Sequence, residues 1–266
     1  MLLLNLFSPE LAQLLHGSKL VLPAVSFANV PQLAVDLLLH NLNFKLVARL
    51  SNDYLYPFVS PIDTSLLVDS SNYNNELVST SLEVFYSADY NLTTIQQRAP
   101  VLPGFTSLFI SDVLINSLFK KFSFSEIIVL TSNDMGINFN NNNIFTFHEN
   151  LNSIDSNSLK FIKTLKDQLF LIKDQNINLK IIEMFVYEGD NFDDAQILFK
   201  TLIKKYLFKD INYQSILSNN NKILEKVPKN QRQQHLTATG LIKPISWSGA
   251  YGDKPVPNSI EEGIFG

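Results

Sequence analysis

Three strand-length apolar runs, Lys19–Val25, Glu126–Leu130 and Leu179–Phe185, recur along the chain with helical patterns between and beside them. Strands apolar on both sides need cover on both faces, and helices supply it. Asn29-Val30-Pro31 opens a helical pattern directly after the first run. Asn29 or Val30 is the cap, Pro31 sits in the first turn, and Leu33, Ala34, Leu37 and Leu38 share a face. Phe105–Phe122 repeats the pattern through Leu108, Phe109, Val113, Leu114, Leu118 and Phe119, and Ser156–Leu171 reads as helix. Asn191–Leu207 is the clearest helix, with Ala195, Leu198, Phe199, Leu202, Ile203 and Tyr206 in register. Asn191 and Asp194 stand there at capping-box spacing. Ile211–Leu224 gives one more helix, and Lys45–Leu50, Leu55–Val59, Leu77–Tyr86 and Leu92–Gln97 give shorter strands. The expectation is a single α/β domain whose mostly parallel or mixed sheet is flanked by helices.

Composition narrows the function. Of 266 residues, 45% are hydrophobic and 17% charged, which excludes global disorder. A net charge of −4 gives no basic face for nucleic acid. With no cysteine there is no disulfide framework, thiolate zinc site or cysteine nucleophile. The leucine-rich start lacks a basic n-region and is broken by Asn5 and Ser8-Pro9-Glu10, so neither a signal peptide nor a membrane span is expected. Pro9–Leu15 reads instead as a short helix capped by Ser8, and residues 1–18 as an N-terminal helical extension. Asn133–Asn143, with four consecutive asparagines, reads as a low-complexity loop.

The search for chemistry finds little. No Walker loop, G-x-G-x-x-G, H-E-x-x-H or G-x-S-x-G occurs. The four histidines have no metal-ligand spacing, and His148 beside the asparagine loop reads as a surface residue. Glu188-Gly189-Asp190-Asn191 follows a buried strand, where open α/β sheets place their sites. It also reads as a plain strand-to-helix turn whose acids complement a helix N-terminus. Gln96-Gln97-Arg98 ends another strand, and Arg98 there suits either a bound anion or an ion pair at an interface. An enzyme handling nucleosides or phosphate would need Arg98, Glu188 and Asp190 to converge.

From residue 243 the chain changes character. Pro244, Pro255 and Pro257 with Gly249, Gly252, Gly263 and Gly266 resist helix and strand, so residues 243–266 read as an extended arm after a 19–242 domain. Ile245–Tyr251, holding the only tryptophan, Trp247, is expected to fold back on the core. Ile264-Phe265-Gly266, behind Glu261-Glu262-Gly263, reads as a docking end: apolar side chains for pockets and a terminal carboxylate for a cation.

Four segments together resemble the proteasome assembly chaperone 2 family. Leu20–Leu38 carries the family's L-x-P-A-V-S-x-x-N-V-x-Q-L-A-x-D-L opening. Leu82–Tyr86 with Ile95–Arg98 is a weaker match. Phe185–Asn191, followed by Asp194-Ala195, is similar to the F-V-x-E-G-D-N loop and helix, and Ser246-Trp247 leads into the Pro/Gly-rich arm. The resemblance implies a non-enzymatic chaperone without cofactor, on a fold distantly like nucleoside phosphorylases but lacking their catalytic apparatus. It implies a heterodimer with proteasome assembly chaperone 1 that binds the α-subunit ring of the 20S proteasome, prevents wrong ring association and keeps activators off. The expected compartments are cytoplasm and nucleus. Ile264, Phe265 and Gly266 match the family's hydrophobic–tyrosine–any-residue docking end by position, with Phe265 in place of tyrosine. The alternative to an assembly role is an adaptor whose tail merely recruits finished proteasomes.

Overall fold

The computed structural model describes residues 13–50, 53–63, 78–137, 144–149, 160–170, 178–207, 209, 211–225, 227, 232 and 235–247. Seven strands form one mixed sheet: β1 (Lys19–Pro23), β2 (Lys45–Arg49), β5 (Leu82–Ser87), β6 (Leu92–Gln97), β7 (Glu126–Asp134), β8 (Phe145–His148) and β9 (Leu179–Val186). Their spatial order is β2-β5-β6-β1-β7-β9-β8. The central four, β6, β1, β7 and β9, run parallel, while β5 and β8 are antiparallel to their neighbours. A separate two-stranded ribbon joins β3 (Val59–Pro61) to β4 (Val78–Thr80).

The parallel strands have two buried faces, and their side chains divide between two cores at period two. Val21, Ile128, Leu130, Ile182 and Met184 face one layer of helices. That layer is α1 (Val30–Asn41), α4 (Phe192–Tyr206) and α5 (Tyr213–Leu224). Leu20, Leu22, Ile127, Val129 and Ile181 face the other. There lie α2, running from Thr106–Leu108 through a π-helical Phe109–Phe119 to Lys120–Phe122, and α3 (Lys160–Phe170). The expected α/β domain is present as a three-layer sandwich.

Local differences from the sequence reading have physical causes. β7 continues to Asp134, beyond the expected loop boundary, because Asn133 and Asp134 pair with Phe185 and Val186 of β9. Leu55 makes only an isolated bridge to Val101, and regular pairing starts at Val59, past Pro57, which has no N–H to donate. Asn191 does not cap α4 with its side chain. Its amide donates to the Tyr187 carbonyl at 2.8 Å and to Asp194 Oδ2 at 2.7 Å, and Asp190 Oδ1 accepts from Phe192 N at 3.2 Å. Leu108, expected on the buried face of α2, is exposed, whereas Ile110 and Ile115 are buried. The change falls where α-helical Thr106–Leu108 passes into the π-helical Phe109–Phe119, whose wider turn departs from the α-helical spacing. Residues 1–12 lie outside the described region; Leu15 is fully buried in the α2–α3 core.

Candidate functional site

The chain leaves β1 for α1 on one face of the sheet and leaves neighbouring β6 for α2 on the other. Diverging crossovers open a crevice at the carboxyl ends of the two strands, where open α/β sheets hold their ligands. Here the crevice encloses about 410 Å3, and Asn29, Gln32, Asp36, Phe58, Gln96 and Arg98 belong to its lining.

A buried ionic cluster underlies it. Arg98 Nη1 lies 3.8 Å from Asp36 Oδ1, and Arg98 Nε lies 3.9 Å from Glu83 Oε2. Glu83 is fully buried; its other oxygen accepts from Thr80 N at 3.0 Å and pairs with Arg49 Nε at 3.3 Å. Gln96 Nε2 donates to the Gln32 carbonyl at 3.1 Å and to Asp36 Oδ1. Of the two readings left open for Arg98, an anion or an ion pair, the structure favours the pair, within the chain itself. Burial pushes the Asp36 carboxyl up to about 6, with Asp63 adding to the rise and Arg98, Gln96 and Trp247 opposing it. One turn on, burial depresses His40 to about 4, and neither ring nitrogen has a hydrogen-bond partner.

The same cluster grips the root of the C-terminal segment. Ser246 N donates to Asp63 Oδ1 at 3.1 Å, and Ser246 Oγ donates to Asp63 Oδ2. The Trp247 ring stacks on Phe192 at 4.3 Å between centroids and 13° between planes, and its Nε1 lies 3.4 Å from Asp36 Oδ2. Trp247 is 3% exposed, so the expected fold-back holds as far as this residue. Ile264, Phe265 and Gly266 lie outside the described residues.

Arg98, Glu188 and Asp190 are not brought together. β1 and β7 stand between β6 and β9, a separation of roughly 14 Å at the usual strand spacing. Glu188 and Asp190 are exposed in the turn before α4, and Asp190 serves the helix N-terminus. His148 is not on the surface: β8 packs it into the sheet edge, buried, with Nε2 3.8 Å from Glu183 Oε2. Among the described residues no group of three or more His, Cys, Asp or Glu is placed to hold a metal, and no helix is long and apolar enough to cross a membrane. Sequence reasoning missed Asp36 and Glu83 as partners of Arg98, Gln96 as a donor to Asp36, and Asp63 as the partner of Ser246. The one local signal was Asp36 itself, an acid set within the apolar Leu33–Leu39 face.

These features define an α/β sandwich in which the charges at the β6 end are spent on one another and on the root of a C-terminal segment. The PAC2 family model matches residues 20–252, and the chain belongs to that family. It is 27% identical to Proteasome assembly chaperone 2 of Saccharomyces cerevisiae, over 88% of this chain and 95% of the yeast one. It is 41% identical to Proteasome assembly chaperone 2 of Danio rerio over 86 residues, 32% of each chain. The fold resembles PbaA of Pyrococcus furiosus, an archaeal homolog of proteasome-assembly chaperone, with a TM-score of 0.53 and 13% identity over 82% of this chain and 93% of that one. It also resembles a Thermoplasma acidophilum protein of unknown function, with a TM-score of 0.56 and 12% identity over 82% and 89%.

Proposed function

We propose that this chain is a proteasome assembly chaperone. It pairs with proteasome assembly chaperone 1, and the heterodimer binds the 20S α-ring as it assembles, prevents off-pathway ring association and holds activators off. The observation that carries the reading is the match to the yeast chaperone across nearly the whole length of both chains. Physical support comes from the strand-end groups: Arg98 is met by Asp36 and Glu83, and Glu188 and Asp190 stand apart from it, so the enzyme alternative lacks its constellation.

In this reading residues 19–242 are the chaperone domain and 243–266 the arm, held at its root by Trp247. Ile264 and Phe265 fill pockets between α subunits while the Gly266 carboxylate meets a lysine. Nineteen residues follow Trp247, which at about 3.1 Å each when extended span up to about 60 Å. Phe265 forgoes the tyrosine hydroxyl of the usual docking end, at a cost of about 0.5–1.5 kcal/mol. The complex acts in the cytoplasm and nucleus. Co-expression with the partner and capture on α-ring intermediates, with and without Ile264–Gly266, tests the reading. Preference for half-assembled rings over finished particles is expected, and capture of finished particles alone would favour the adaptor. Failure of the folded heterodimer to hold any α subunit would overturn the assignment.

A further inference from the structure

The crevice between the ends of β1 and β6 contains polar groups that the protein leaves unused. Gln96 is 1% exposed, and its Nε2 is committed to the Gln32 carbonyl and Asp36 Oδ1. That commitment fixes the amide, because a flip would set its oxygen against two acceptors. Gln96 Oε1 therefore stays an acceptor, and it is buried without a partner. Both amide atoms of Gln32 are likewise buried and unpartnered. Buried polar groups of this kind are costly to leave without a partner. The backbone at the rim is strained as well: Ala28 and Asn29 both take left-handed conformations, φ 55° and 53°.

We infer that this crevice is a binding site for an uncharged planar ligand carrying a hydrogen-bond donor and an acceptor side by side, the edge of a primary or cyclic amide. The donor of such an edge meets Gln96 Oε1, and its acceptor meets the side-chain Nε2 of Gln32. The volume, about 410 Å3, lies in the range of small-molecule pockets, and Phe58 supplies the aromatic member of the lining. The position is the switch point of the sheet, where crossovers part to opposite faces. Charge excludes an anion: Asp36 and Glu83 already face Arg98, and a phosphate or carboxylate would enter against both acids. The inference stands whether or not the chain chaperones proteasome assembly, because it uses only groups inside one domain.

The test is NMR titration of the isotope-labelled full-length chain with two probes, uracil for a cyclic amide and nicotinamide for a primary one. Inorganic phosphate is the contrasting anion. Saturable shifts are expected at the side-chain amides of Gln32 and Gln96 and at the Trp247 indole, which shares Asp36 with Gln96. Affinity should fall at least about tenfold in Gln32→Ala and in Gln96→Met, the loss expected from one or two hydrogen bonds. Gln32→Ala removes an amide that bonds nothing in the protein, so it decides the matter even if Gln96→Met fails to fold. Binding of either probe with that loss supports the site, and the probe that binds more tightly identifies the kind of amide. Absence of saturable binding of both probes at about 10 mM, binding unchanged in Gln32→Ala, or tighter binding of phosphate would each overturn it.

Discussion

The ends of β6 and β9 started from the same material and came to opposite uses. Each is a parallel strand of one sheet that runs into charged residues, Gln96-Gln97-Arg98 in one case and Glu188-Gly189-Asp190 in the other. At β6 the charge is drawn inside, set between Asp36 and Glu83 and lodged beneath the segment that carries Trp247. At β9 the acids remain in water, and Tyr187 beside them is 71% exposed. Place in the sheet and cover from above decide which charges become structure; type of residue and position after a strand do not.

The comparison is broken most forcefully by removing the cover. Trp247→Ala takes away a buried ring, its stack on Phe192 and its contact with Asp36, and should cost about 3–5 kcal/mol, read as a lower urea midpoint at unchanged slope. Tyr187→Ala, removing an aromatic at the β9 end, should leave the midpoint in place. Equal losses at the two sites would mean that the cover does not distinguish them.

Next comes the pairing itself. Arg98→Met leaves Glu83 and Asp36 buried with less compensation and should cost about 3 kcal/mol, since stranding a buried charge costs more than an intact pair contributes. Glu83→Gln in the same background should recover part of that loss, because it removes one stranded charge. A double-mutant cycle in urea measures the coupling, and strict additivity would show that the two groups do not interact.

What was legible in the sequence follows the same division. Strands such as Glu126–Leu130 and helices such as α4 announce themselves through neighbours a few residues apart, because burial on regular elements has a short period. The ionic cluster joins Asp36, Glu83, Arg98 and the Asp63–Ser246 pair across more than two hundred positions, and no local pattern records that the chain brings them together. β8 is four residues long beside a run of asparagines, and its pairing with β9 is what makes it a strand. The π-helical stretch of α2 was equally hidden, since its apolar residues fit α-helical spacing nearly as well.

A pH titration of stability sharpens the picture with a smaller effect, on the order of 1–3 kcal/mol for each group. Asp36 is raised from 3.8 to about 6 in the fold, so between those values the native state holds the extra proton and stability falls as pH rises. His40 is lowered from 6.5 to about 4, so between those values the unfolded state holds the extra proton and stability rises with pH. The windows overlap and the slopes oppose. Both groups share the fields of Arg98 and Asp63, so the cancellation is built into one cluster. His40→Leu, which removes two unpartnered nitrogens, should expose the Asp36 slope: greatest stability near pH 4, declining toward pH 6. Asp36→Asn should expose the reverse, with stability climbing from pH 4 to 6.5. Thermal midpoints across that range in the two variants check both signs.

The smallest effect belongs to the β9 end. Asp190→Ala removes the acceptor of Phe192 N at the start of α4 and should cost about 0.5–1 kcal/mol, the usual value of a helix-terminal side-chain bond. Glu188→Ala should change stability by less than about 0.5 kcal/mol, as exposed substitutions do. Neither change should alter the Trp247 emission maximum, because the indole environment is set by Phe192 and Asp36. A shift of that emission in Glu188→Ala would show that the β9 turn reaches the arm root, and the contrast between the two strand ends would then be one of degree.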